Sequence, residues 1–168
     1  MRNFEKAKRI VIKIGTNILT KNSGVDTGYV RRVARQISEL LKTGRQIVIV
    51  SSGAIGMGSG QLEQVSRVKN IKMRQAYAAI GQPLLMAEWR KSFLHYGVTV
   101  AQVLVTTEVL NNRKTYLNLR NSIETLLNLG VVPVLNENDS VSTDEIGSAS
   151  GIMINSALWS QAKSMRTY

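Results

Sequence analysis

Four short runs of almost wholly apolar, largely β-branched residues recur along this chain, with longer stretches of helical periodicity between them. They are residues 9–14 (RIVIKI), 46–50 (QIVIV), 98–105 (VTVAQVLV) and 131–135 (VVPVL). A strand that alternates apolar and polar side chains keeps one face wet, whereas a strand that is apolar throughout must be covered on both faces. The intervening segments supply the cover. Asp26 can cap a helix running to about Lys42, with Val30, Val33, Ala34, Ile37, Leu40 and Leu41 as its apolar stripe and Gly44 as its terminator. Residues 69–96 read as mostly helical, with a break expected near Gly81 and Pro83 because proline cannot continue the hydrogen-bond ladder. Residues 112–129 read as a further amphipathic helix, with Leu119, Ile123, Leu126 and Leu127 facing inward and Gly130 ending it. Strands alternating with helices in this way predict an α/β fold, a mostly parallel sheet sandwiched between helices. Pro133 stands against a central place for the fourth strand, because proline prefers sheet edges and strand starts.

The chemistry of such a fold is sought just past the strands, where open α/β sheets bind their ligands. After the first strand comes Lys13-Ile14-Gly15-Thr16. A lysine there can aim its ammonium at a phosphate, and the glycine lets backbone approach an anion, although a surface lysine and a turn glycine would read the same. After the second strand comes Ser51-Ser52-Gly53-Ala54-Ile55-Gly56. A glycine-rich turn entering a helix offers free N–H groups and the positive end of the helix dipole to an anion. It matches neither G-x-x-x-x-G-K-[ST] nor, at the right distance from the strand, G-x-G-x-x-G. After the fourth strand comes Asn136-Glu137-Asn138-Asp139, more polar than a turn requires. Its carboxylates and amides suit an ammonium group or help with Mg²⁺.

Composition narrows the field. The chain has no cysteine, and His95 is its only imidazole, so disulfides are excluded and a zinc site is disfavoured. No G-x-S-x-G elbow is present, and nothing points to a protein nucleophile. The formal net charge is +11, but the basic residues are dispersed and not interleaved with aromatics. A small anionic partner such as a nucleotide fits that distribution better than a nucleic acid does. No run approaches the ~18 apolar residues of a membrane helix, and the first residues lack the long apolar stretch of a signal peptide. A cytoplasmic protein with no membrane partner is the expectation.

Taken together, the strand-end segments resemble the amino-acid kinase family and, within it, the glutamate 5-kinases. The matching stretches are residues 11–16 (VIKIGT), 48–55 (VIVSSGAI), 78–82 (AAIGQ) and 132–139 (VPVLNEND), in the family's order. The resemblance implies transfer of a phosphoryl group from ATP, with Mg²⁺ on the phosphates, to the side-chain carboxylate of L-glutamate, the first step of proline synthesis. It implies that Lys13 is the ATP-phosphate lysine, acting with Gly15, and that Ser52, Gly53, Asn138 and Asp139 serve the glutamate. It also implies a homo-oligomeric parent enzyme. Other amino-acid kinases, acting on N-acetylglutamate or a carbamate, and a non-catalytic fragment are the alternatives.

The resemblance stops at about residue 146. The family continues with a segment like F-G-D-N-D-x-L-S-A, followed by a nucleotide-binding half, whereas this chain reads GSASGIMINSALWSQAKSMRTY over residues 147–168. Taking the third base of each codon with the first two of the next restores the family's text. Met153 followed by Ile154 forces GAT, aspartate, and the other junctions from Ala149 to Thr167 permit F-G-D-N-D-K-L-S-A-L-V-A-S-K-I-D-A-D-L. Residues 1–146 are therefore expected to be the glutamate-binding part of a kinase domain, and 147–168 an out-of-frame tail. A chain of this kind is expected to turn over weakly or not at all.

Overall fold

The computed structural model describes residues 7–21, 24–64 and 70–141. The expected division at residue 146, and the tail beyond it, lie outside the described residues. In chain order the elements are β1 (Arg9–Lys13), α1 (Thr16–Leu19), β2 (Thr20–Lys21), β3 (Gly24–Val25), α2 (Thr27–Lys42) and β4 (Gln46–Val50). They continue with α3 (Ala54–Gln61), α4 (Ile71–Leu94), β5 (Val100–Val105), α5 (Thr107–Asn111), α6 (Arg113–Asn128) and β6 (Val132–Glu137).

β1, β4, β6 and β5 form a four-stranded sheet in that spatial order, and all three pairings are parallel. β2 and β3 form a separate small antiparallel hairpin. The alternation of side chains along each strand assigns the two cores. Ile47, Ile49, Val132 and Val134 face one way, where they meet Val30, Ala34 and Ile37 of α2 and Leu85, Trp89 and Phe93 of α4. Val48, Val50, Val105 and Leu135 face the other way, onto Ile123 and Leu127 of α6. The result is the expected sheet between two helical layers.

Handedness explains which helices go where. The chain steps in one direction from β1 to β4 and on to β5, with α2, α3 and α4 on one face. It then steps back to fill the gap with β6, and a right-handed return requires its helix, α6, on the opposite face.

Several sequence expectations are sharpened. Asp26 caps α2 as read, its carboxylate accepting from Tyr29 N at 2.8 Å. Pro133 does lie in a central strand, against its usual preference. Val132 N donates to Thr99 O toward β5 and Leu135 O accepts from Ser51 N on the β4 side, so Pro133, which is out of phase with Val132, turns toward β4. On that side the registered pairs begin only at Ile49 with Val134, and the missing donor breaks no ladder bond.

The break expected near Gly81 and Pro83 is absent, because α4 runs unbroken from Ile71 to Leu94 with Pro83 inside it. Its two halves are held independently, by Tyr77, Ala78 and Gly81 before the proline and by Leu85, Trp89 and Phe93 after it. Ala79, whose carbonyl loses its N–H partner at Pro83, is exposed, so water can satisfy it. The glycine-rich segment after β4 is likewise a helix, α3, despite Gly56, Gly58 and Gly60.

The glycines of α3 and α4 explain that helix. A Cβ at Gly58 would sit 1.9 Å from the Tyr77 carbonyl oxygen, and one at Gly81 would sit 1.8 Å from that of Ala54. The two helices therefore cross with backbone against backbone, and only hydrogen fits between them. Gly81→Ala must push the helices apart. It is expected to cost about 2 kcal/mol or more, measured by denaturant unfolding, with Gly58→Ala similar and Gly15→Ala, whose Cβ would meet nothing, near neutral.

Candidate active site

The carboxyl ends of β1, β4 and β6 open into a cleft of roughly 400 Å³, lined among others by Lys13, Ser52, Gly53, Arg74, Glu137 and Asp139. Lys13 is the last residue of β1 and is exposed, with no ion pair or side-chain hydrogen bond among the described residues. The strand ends are laced together behind it. Ile14 N donates to Val50 O and Ser51 N to Leu135 O, each at 2.8 Å.

Ser52 donates its hydroxyl proton to the Ile14 carbonyl at 2.9 Å, pinning the turn after β4 to the turn after β1. Its oxygen is left as an acceptor facing the cleft. Gly53 follows with φ 99°, a left-handed conformation that L side chains resist, and serves as N-cap of α3 without any side-chain cap. The first N–H groups of a helix have no partner within it, and Ala54, Ile55 and Gly56 line the cleft. This wall favours an anion.

The opposite wall is acidic. Asn136 and Glu137 were expected beyond the fourth strand, but they are its last two residues. The reason is pairing. Leu104 with Asn136 and Val105 with Glu137 continue the β5 ladder to the end, so the polar run begins inside the sheet. Asn136 is buried and donates Nδ2 to Gln82 Oε1 at 2.6 Å, leaving Gln82 Nε2 the one buried side-chain polar atom without a partner among the described residues. Asn138 N donates to Val105 O, and Asn138 Oδ1 accepts from Ser140 Oγ at 2.6 Å. Asp139 carries the strongest perturbation in the site. Burial pushes its carboxyl up to about 6, the Glu137 charge adds to the rise, and the Arg74 guanidinium opposes it.

Of the residues expected from sequence, Lys13, Ser52, Gly53 and Asp139 converge on the one cleft. Asn138 lines an adjoining depression with Gln82, Glu137 and Asp139. Gly15 lies beside the cleft without lining it. Arg74, in the first turn of α4, was missed because its segment reads only as helical. The signal available was a cation in a helical first turn that contains no acidic residue. Among the described residues no three His, Asp or Glu side chains are grouped to hold a metal ion. No described helix is long and apolar enough to cross a membrane.

The carboxyl edge of this parallel α/β sheet thus gathers a lysine, an uncapped helix start and a half-buried carboxylate in one cleft. The chain matches the amino acid kinase family over residues 8–157 and belongs to it. Within that family it is similar to proteins named glutamate 5-kinase. It is 48% identical to the one from Methanosarcina mazei over 151 residues, 85% of this chain and 39% of the relative. It is 46% identical to the one from Thermus thermophilus over 146 residues, 87% of this chain and 40% of the relative. The chain thus spans about two fifths of the length of these curated relatives.

Asp139 makes the fold pH-sensitive in a defined direction. Its carboxyl titrates near 6 in the folded chain against 3.8 for the ordinary group, so the folded state holds a proton that the unfolded state has lost. The stability contribution of this group therefore falls as pH rises through that window. Asp139→Asn is expected to melt at a higher temperature than the parent at pH 7, with the difference shrinking between about pH 6 and pH 4 and vanishing below it, read by circular dichroism.

Proposed function

We propose that this chain provides the amino-acid-binding part of a glutamate 5-kinase, in which ATP phosphorylates the side-chain carboxylate of L-glutamate to γ-glutamyl phosphate. The observation that carries this reading is the separation of charge in one cleft, with Lys13 at the end of β1 and Asp139 beyond the end of β6. A zwitterionic acid can place its ammonium at Asp139 while its side-chain carboxylate points toward the anion-favouring wall of Lys13 and α3. The 46–48% identity to proteins named for that activity supports the same assignment.

In this reading an oxygen of the glutamate side-chain carboxylate attacks the γ-phosphorus in line, the bond to the β–γ bridging oxygen breaks, and ADP leaves. No proton moves, so no general base is needed. The protein's part is positioning and charge neutralisation. Lys13 would hold transferring phosphate oxygens. Backbone at Gly15 and Gly53 would approach them closely. Ser52, with its proton committed to Ile14, would accept from the substrate ammonium, and Asn138 retains its Nδ2 as a donor. Mg²⁺ would accompany the phosphates of ATP and neutralise part of their charge. An enzyme drawing on ATP in this way fits the cytoplasm.

Two measurements test the proposal. L-Glutamate is expected to raise the melting temperature of the chain and to bind about tenfold more weakly at pH 5 than at pH 7, because only ionised Asp139, titrating near 6, attracts the ammonium. Absence of any stabilisation by glutamate would overturn the reading. The out-of-frame origin of residues 147–168 is a separate inference, checked by the nucleotide sequence across those codons. Codons that do not spell the family's continuation in the shifted frame would refute it.

A further inference from the structure

Arg74 is the cation of the cleft to which the proposed reaction gives no task. It is half-buried, it lines the cleft, and it makes no ion pair or side-chain hydrogen bond among the described residues. Its place is doubly unfavourable for an idle cation. The first turn of α4 contains no acidic residue, and the positive end of the helix dipole repels the guanidinium. Partial burial takes away part of its hydration as well. Glu137 and Asp139 share the cleft with it, but neither bonds it, so its hydrogen-bonding fork stays open to an anionic ligand.

The position also says which anion. Arg74, from the first turn of α4, lines the cleft with Asp139, and its charge acts on that carboxyl. Lys13 lies on the β1 side. In an α-amino acid the ammonium and the α-carboxylate are substituents of a single carbon. If Asp139 takes the ammonium, the cation for the α-carboxylate must be the neighbour of Asp139. The planar fork of a guanidinium matches a carboxylate in two parallel hydrogen bonds.

We propose that Arg74 binds the α-carboxylate of the amino-acid substrate and makes the cleft select an α-amino acid over a simple amine or monocarboxylic acid. This rests on the glutamate reading. It adds a specificity-determining contact from α4, the helix that the crossing of Gly58 and Gly81 holds in place over the strand ends.

The test is calorimetric titration with L-glutamate and with 4-aminobutyrate, which keeps the amine and the distal carboxylate but lacks the α-carboxylate. The unaltered chain is expected to prefer L-glutamate by about 10- to 100-fold, the range for hydrogen bonds to a charged group. Arg74→Met should abolish that preference by weakening L-glutamate alone, and Arg74→Lys should restore part of it. Matching circular dichroism spectra establish that the variants are folded. Equal weakening of both ligands, or an unchanged preference, overturns the proposal while leaving the glutamate reading intact. Loss of Mg-ATP affinity with glutamate affinity retained would assign Arg74 to phosphate and likewise overturn it. A parent chain that binds neither acid overturns both.

Discussion

The contact between α3 and α4 fixes the geometry on which the cleft depends. Two helices normally keep their axes 8–10 Å apart because side chains lie between them. Here Gly58 and Gly81 remove the side chains at the crossing, and each backbone rests on a carbonyl of the other. The start of α3, with its unpartnered N–H groups, and the first turn of α4, with Arg74, are thereby brought to one rim. Tyr77, whose carbonyl meets Gly58, also donates its hydroxyl to Gln64 just beyond α3, closing the pair from the far end.

α4 is fixed to the sheet as well as to α3. Trp89 is fully buried, stacks on Phe93 at 6.0 Å between ring centroids, and donates its indole N–H to Ser51 Oγ at 3.2 Å. Gln82 accepts from Asn136 at the end of β6. One helix therefore holds the exits of both β4 and β6, the strands that deliver Ser52 and Asp139. A further clamp secures the sheet's outer strand. Arg9 of β1 donates to both oxygens of Glu124 on α6, at 2.6 and 2.8 Å, and to Gln46 of β4, and this bonding holds the Glu124 carboxyl below its ordinary range.

Much of this was legible in the sequence because the sheet is buried on both faces. Runs such as 46–50 leave no polar side chain to confuse strand with loop, and all four large strands, with their order along the chain, follow from them. The residues that end those strands were legible for the same reason. What could not be read was set by tertiary contact. Glycines within α3 signal a loop locally, and only the approach of α4 makes them a helix. Pro83 signals a stop, and only packing on both sides of it carries the helix through. Arg74 has only the weak local signal of a cation in a helix's first turn, since its neighbours in the cleft come from β1, β4 and the end of β6. The boundary at Asn136 was misplaced because polarity suggested a turn where pairing with β5 continues.

The strand order carries a consequence for how the protein comes into being. β6, the last of the four to be synthesised, lies between β4 and β5 rather than at an edge. Until it arrives, β1 and β4 form a two-stranded fragment and β5 has no partner in the sheet. Pairings between segments so distant along the chain form slowly, because the loop must close before the contacts can repay it. Asp139 lies two residues past that strand, so the cleft and the four-stranded sheet come into existence in a single late event. A nascent chain paused short of β6 would expose apolar strand edges to its neighbours and have no acidic wall with which to hold a ligand.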